Sequence, residues 1–182
     1  MLQKANILIT GPPGCGKSTL VTRIISSLQK KGIKVGGITT PDFRSAGGHR
    51  EGFLILDIAT GEKSIMASVE IHSKIRVGRY GVDRGAVRGI GVMAIEQAVT
   101  KADIVIIDEI GKMELVVPEF QHCVTRALDS TKPVLGTIGL NITSFFAQAI
   151  KQRPDVTVLR LIREQQDALY QNVTRLIGVS NT

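Results

Sequence analysis

Short runs of β-branched and aliphatic residues alternate along this chain with longer stretches in which apolar positions return every three to four residues. That rhythm predicts strands over residues 5–10, 34–39, 103–108, 133–138 and 156–161. Helical spacing falls between them, over residues 17–31, 86–101, 118–129, 144–152 and 165–177, with Gly or Pro bounding several of these segments. Strands that are apolar nearly throughout are buried on both faces, as a parallel sheet covered by helices on both sides requires. The fold class is therefore α/β, a three-layer α-β-α sandwich.

One segment departs from the rhythm. Residues 52–58 and 63–69 both read as strands, joined by Ala59, Thr60, Gly61 and Glu62, and predict an antiparallel hairpin added to a mainly parallel sheet. The glycine-rich stretch before it, residues 43–52, carries Arg44, His49 and Arg50 and reads as a mobile basic loop of the kind that serves phosphate sites. The chain has no internal repeat, low-complexity tract or linker composition.

A length of 182 residues fits one domain, 1–182, able to bury roughly 70% of its unfolded surface. With 43% hydrophobic and 21% charged residues the composition is globular, and no apolar run approaches the roughly 18 residues that cross a membrane. The apolar run at the N-terminus, Ile7-Leu8-Ile9, is too short for a secretory signal, so a cytoplasmic monomer is expected. Cys15 and Cys123 resemble neither a disulfide framework nor a metal-ligand pair and read as free thiols. The net charge of +7 suits a polyphosphate substrate as well as nucleic acid. An aromatic content of 4% without tryptophan leaves few platforms for stacking bases, which makes nucleic acid the unlikely partner.

Between the first strand and the first helix stands Gly11-Pro12-Pro13-Gly14-Cys15-Gly16-Lys17-Ser18, followed by Thr19. This matches GxxxxGK[ST] in the strand–loop–helix context that gives the pattern meaning, a P-loop. Its glycines let backbone N–H groups turn toward a β-phosphate, and the helix N-terminus adds partial positive charge. Lys17 is expected to bridge β- and γ-phosphate oxygens, and Ser18 to supply a hydroxyl ligand to Mg²⁺. Cys15 sits where such amides activate a thiol, so alkylation is expected to inactivate the protein and Mg-nucleotide to protect it.

The apolar run Ile104-Val105-Ile106-Ile107 ends in Asp108-Glu109 and continues as Ile110-Gly111, the Walker B pattern of a buried strand that delivers acids to the edge of the sheet. Asp108 is expected to hold Mg²⁺ and Glu109 to act as general base on the attacking water. Asp108-Glu109-Ile110-Gly111 also satisfies the DxxG of switch GTPases, and Thr100-Lys101-Ala102-Asp103 imitates their guanine-reading TKxD. The latter enters the Walker B strand instead of following a late strand, which reduces a GTPase switch to a minor alternative.

From the P-loop through Asp167 the chain resembles the nucleoside-triphosphate phosphatases first known from thermophiles, whose animal member is called cancer-related nucleoside-triphosphatase. The string from Asp108 to Gly111 with Lys112-Met113-Glu114-Leu115, the loop Gly78-Arg79-Tyr80-Gly81-Val82-Asp83, and residues 36–53 with the acidic-x-Arg step Asp42-Phe43-Arg44 carry the resemblance. It implies Mg²⁺-dependent hydrolysis of ATP, GTP and other triphosphates to diphosphates with little preference for base. Gln165-Gln166 stands where members often show Asn-Arg, and Gly139 in place of a basic residue.

Arg44, Arg79, Arg84 and Arg88 are candidates for an arginine that stabilises charge on the γ-phosphate, and Arg44 is favoured because the basic loop around it can close over nucleotide. Lys112 and Glu114 read either as γ-phosphate contact and partner of Glu109 or as an exposed ion pair. Tyr80 and Asp83 read either as substrate contacts or as a turn whose Asp83 caps a helix. Thr137 ends the strand expected between the P-loop and Walker B strands and is either a γ-phosphate sensor or a core residue. The alternatives to hydrolysis are a P-loop nucleotide or small-molecule kinase and a nucleotide-dependent switch.

Overall fold

The computed structural model describes residues 2–179, so the two ends of the 1–182 span lie outside the described residues. Strand β1 (Asn6–Thr10) leads through the phosphate loop into α1 (Lys17–Lys30) and on to β2 (Val35–Thr39). Five short strands follow: β3 (Asp42–Arg44), β4 (Arg50–Asp57), β5 (Lys63–Ser68), β6 (Arg76–Val77) and β7 (Tyr80–Val82). One continuous helical stretch comprises α2 (Arg84–Ala86), a π-helical turn (Val87–Val92) and α3 (Met93–Lys101). The chain then alternates regularly through β8 (Ile104–Ile110), α4 (Pro118–Asp129), β9 (Val134–Ile138), α5 (Phe145–Lys151), β10 (Val156–Arg160), a 3₁₀ turn (Arg163–Gln165) and α6 (Gln166–Leu176).

All ten strands form one sheet in the order β10-β1-β9-β8-β2-β4-β5-β7-β6, with β3 paired to β4 off that path. β10, β1, β9, β8 and β2 run parallel, and every pairing from β2–β4 outward is antiparallel. β9 lies between β1 and β8, as expected. The antiparallel addition is larger than the predicted hairpin, because β3, β6 and β7 are two or three residues long and too short to show an alternation. Residues 43–52, expected to be a mobile loop, instead form the end of β3, a turn and the start of β4: Phe43 pairs with Gly52, and the turn between is closed by Ser45 N–H donating to His49 O at 2.9 Å.

The period of two along each parallel strand divides the core. Ile104 and Ile106 pack with Ile7, Ile9 and Leu135 beneath α1 and α6, whereas Val105 and Ile107 pack with Leu8 and the buried faces of α3, α4 and α5. All four β8 residues are fully buried, each contributing roughly 1.5–3 kcal/mol of hydrophobic stabilisation. A strand anchored on both faces is a rigid support for the acids at its end. Its neighbour β2 approaches through Gly37, at φ 109°, where a Cβ would lie 2.0 Å from Ile106 O. Only glycine fits there.

Candidate active site

The phosphate loop is held open by glycine conformations. Gly14 (φ 73°) and Gly16 (φ 97°) lie in the left-handed region, and Gly16 is the N-cap of α1. No side chain caps that helix and its first turn has no acid, so its N-terminal N–H groups are available to an anion. Lys17 Nζ donates to the carbonyls of Gly11 at 3.1 Å and Pro12 at 3.2 Å, which lays the ammonium along the loop. The chain after β10 braces the loop: Arg163 Nη2 donates to Gly14 O at 2.8 Å and Gln166 Nε2 to Cys15 O at 3.3 Å. Arg163, two residues before Gln165-Gln166, is thus the basic residue that the chain after β10 brings to the loop. Cys15 is buried beside Leu161 and Leu20, so alkylation of its thiol needs the loop to open.

Asp108 shares the parity of Ile104 and Ile106 and therefore faces α1. Its Oδ1 accepts the hydroxyl of Thr137 at 2.5 Å and that of Ser18 at 3.3 Å. Burial raises the Asp108 pKa, opposed by these two hydroxyls and by the charge of Lys17. Three hard oxygen donors from α1, β8 and β9 meet at one point, a set that suits Mg²⁺. Among the described residues no group of three or more His, Cys, Asp or Glu could hold a metal.

Beyond Asp108 the sequence reading missed Thr40, the residue after β2. Its hydroxyl donates to Asp108 O and accepts Glu109 N–H, both at 3.1 Å, so one side chain clasps the peptide between the two acids. A lone threonine after a strand has no motif to reveal it, although the β2–β8 register, which pairs Thr39 with Asp108, places Thr40 there. Burial also raises the Glu109 pKa, with Lys17 opposing and Asp108 reinforcing. Glu114 is not part of an exposed ion pair. It is 4% exposed, its Oε2 accepts Gly111 N–H at 3.1 Å, and burial, with the neighbouring charges of Glu109 and Asp108, pushes its pKa up to about 8. A Cβ on Gly111 would lie 2.7 Å from Glu114 Oε2 and 3.2 Å from Glu109 Oε1. The glycine lets the two carboxyl groups converge.

A cavity of about 400 Å³ opens beside Lys17 and Glu109, bordered by Thr40, Gly111, Lys112, residues 139–142 and the antiparallel strands. Arg50 lines it, and Arg44 does not. Arg44 donates to Asp42 Oδ2 at 2.9 Å and Gly48 O at 3.0 Å, while Arg50 Nε holds the same Asp42 oxygen at 2.7 Å and its guanidinium stands 5.4 Å from the centre of the Phe53 ring. These two cations hold the Asp42 carboxyl below its ordinary pKa, the Arg50 hydrogen bond first. Arg79 supports Arg50 from behind, donating to Arg50 O at 2.6 Å and Tyr80 Oη at 3.1 Å. Arg84 and Arg88 face Glu119, Asp83 Oδ1 accepts Ala86 N–H at the start of α2, and Asp103 accepts Lys34 N–H. A second cavity, about 410 Å³, lies on the β10 side of the loop between residues 12–15 and 160–164.

A family model described as NTPase matches residues 6–174. The nucleoside-triphosphatase THEP1 of Methanothermobacter thermautotrophicus is 42% identical over 172 residues, 94% of this chain and 95% of that protein. That of Thermofilum pendens is 41% identical over 174 residues, 95% of each. Among solved structures, THEP1 from Aquifex aeolicus superposes with a TM-score of 0.85 at 32% identity, covering 95% of this chain and 99% of that one. The solution structure of a human cancer-related nucleoside triphosphatase superposes with a TM-score of 0.81 at 28% identity, covering 98% and 100%.

Proposed function

Since this chain belongs to the NTPase family, we propose that it is a magnesium-dependent nucleoside-triphosphatase that converts ATP, GTP and other triphosphates to diphosphate and inorganic phosphate with broad base tolerance. The observation that carries this reading is the meeting of Ser18 and Thr137 on Asp108, next in sequence to Glu109, which together with Lys17 borders the cavity. Ser18 and Asp108 would hold Mg²⁺, which when bound neutralises charge on the phosphates. The backbone N–H groups of residues 14–19 and the ammonium of Lys17 bind the β- and γ-phosphates, Pro12 and Pro13 having no N–H to offer. Glu109 takes a proton from the attacking water, and its raised pKa makes it a better base than an exposed carboxylate. Thr40 fixes the peptide that carries both acids.

Arg50 takes the role expected of Arg44. It borders the cavity, and Asp42 holds it ready, with Arg44 bound to the same Oδ2 of that carboxylate. The nucleoside extends to the β10 side, where Ile162 and Arg163 offer packing surface without a fixed pattern of base-reading groups. The protein works as one domain and as a monomer in the cytoplasm, with no nucleic-acid partner. No helix among the described residues is long and apolar enough to cross a membrane. Glu109→Gln tests the mechanism: triphosphate binding is retained while turnover falls on the order of 10³-fold or more. Turnover at the wild-type rate rejects Glu109 as the base.

A further inference from the structure

The cavity beside Glu109 is larger and more apolar than hydrolysis requires. Attack on the γ-phosphate needs space for that group and one water, whose share of liquid volume is about 30 Å³. About 400 Å³ is available, within the roughly 300–1,000 Å³ of small-molecule pockets, which combine apolar walls with a few convergent polar groups. Phe53, Val77, Met113, Leu140 and Ile142 form such walls, and Glu109, Arg50, Lys112 and Asn141 supply the polar groups. With the nucleoside on the β10 side of the loop, as proposed above, residues 160–164 offer it room across β1 and leave this space to another molecule.

The origin of the walls is equally informative. Lys17, Ser18, Asp108, Glu109 and Thr137 all stand in the parallel half of the fold, whereas Arg50 and Phe53 come from β4 and Val77 from β6. The antiparallel strands thus contribute a cation and two apolar surfaces to a space far larger than one attacking water needs. Across from them Lys112 carries a second cation that has no ion-pair partner among the described residues.

We propose that this cavity admits a small alcohol bearing an anionic group, and that the protein transfers the γ-phosphoryl group to that hydroxyl as well as to water. The proposal rests on the hydrolytic reading of the same site and adds a second acceptor to it. The apolar walls hold the body of the acceptor, Lys112 with Asn141 receives its carboxylate or phosphate, and its hydroxyl takes the place of the attacking water. The acceptor oxygen forms a bond to the γ-phosphorus, the bond from that phosphorus to the β–γ bridging oxygen breaks with its electron pair remaining on the nucleoside diphosphate, and the hydroxyl proton passes to Glu109. The products are a phosphomonoester and a nucleoside diphosphate.

The test incubates the full chain with Mg-ATP labelled in the γ-phosphate. Its arms are glycerate and pantothenate as hydroxycarboxylates, glycerol 3-phosphate as a phosphorylated alcohol, uncharged glycerol, and a deproteinised small-molecule cell extract. Inorganic phosphate, organic phosphate ester and ADP are measured separately. The expected result is labelled ester from an anionic alcohol, with ADP formation at least fivefold above the acceptor-free rate and less than a tenth of that ester from glycerol. The productive arm identifies carboxylate or phosphate as the anion. Val77→Trp, or Met113→Trp should the first variant not fold, fills the cavity and is expected to cut ester formation at least tenfold while acceptor-free phosphate release stays within threefold. Release of inorganic phosphate with no labelled ester in any arm overturns the proposal and leaves the hydrolytic reading intact, as does a Trp variant that leaves ester formation unchanged. Ester formation without any acceptor-free phosphate release rejects the hydrolytic reading while upholding the transfer.

Discussion

Thr137 donates its hydroxyl to Asp108 Oδ1 at 2.5 Å, the same carboxylate oxygen that the hydroxyl of Ser18 reaches at 3.3 Å. The last polar residue of β9 thereby sets the orientation of the acid that ends β8. Hydrogen bonds to a charged group are worth about 1.5–3 kcal/mol. Thr137→Val, which keeps the shape and removes the hydroxyl, should raise the Mg²⁺ concentration for half-maximal activity about tenfold or more. Magnesium titration of the steady-state rate checks this, and an unchanged midpoint makes Thr137 a packing residue only.

Thr40 clasps the Asp108–Glu109 peptide from both sides, through the carbonyl of one acid and the N–H of the other. A displacement of about 1 Å at a reacting group costs up to 10²-fold in rate. Thr40→Ala is expected to lower kcat about 10- to 100-fold with little change in nucleotide affinity, and Thr40→Ser to restore most of it. Equal activity of the Ala and Ser variants contradicts the positioning role.

Arg50 and Arg44 share one carboxylate but not one surface, since Arg50 alone of the pair borders the cavity. Removing an arginine that stabilises the transferring phosphoryl group costs on the order of 10³ in kcat, whereas Arg44→Ala should cost no more than about tenfold, through loosening of Asp42. Single-turnover rates for Arg50→Ala and Arg44→Ala decide it, and the reverse order restores Arg44 as the finger.

Much of this site was legible because its motifs are contiguous. The phosphate loop and the run ending in Asp108-Glu109 each announce themselves within eight residues, and the alternation of the chain places both on parallel strands. What escaped was formed between elements. Thr40 matters only because β2 pairs with β8 in a particular register, and neither strand carries that register on its face. That Arg50 and not Arg44 borders the cavity was hidden because the register shifts between Phe43 and Arg44, and a three-residue strand has no readable alternation. The burial of Glu114 was equally hidden, since Lys112-Met113-Glu114 looks like an exposed turn until Gly111 brings the carboxyl group inward.

Glu114 also predicts a dependence of stability on pH. Its carboxyl titrates near 8 in the fold against 4.5 in an ordinary glutamate, because it is buried and faces the like charges of Glu109 and Asp108. The folded state therefore holds a proton that the unfolded state releases. Its contribution to stability is complete below about pH 4.5 and is lost as pH rises through about 8, at up to about 1.4 kcal/mol per pH unit. Glu114→Gln should flatten that loss in thermal unfolding of the metal-free, nucleotide-free protein between pH 5 and 8. Parallel slopes for the two proteins would place the titration elsewhere.

The five antiparallel strands enter the chain after β2 and leave it before α2, and none of Lys17, Ser18, Asp108 and Glu109 lies within them. They form a cassette, spliced at two points into a framework that carries the phosphate loop and both acids and borrows only Arg50 from it. Phe53 and Val77 can change without touching Lys17, Ser18, Asp108 or Glu109, while Arg50 stays tied to the phosphate chemistry. An ancestor of such a chain could change the molecules it handles while keeping its reaction, and a chimaera carrying another relative's cassette would exchange that preference in one step.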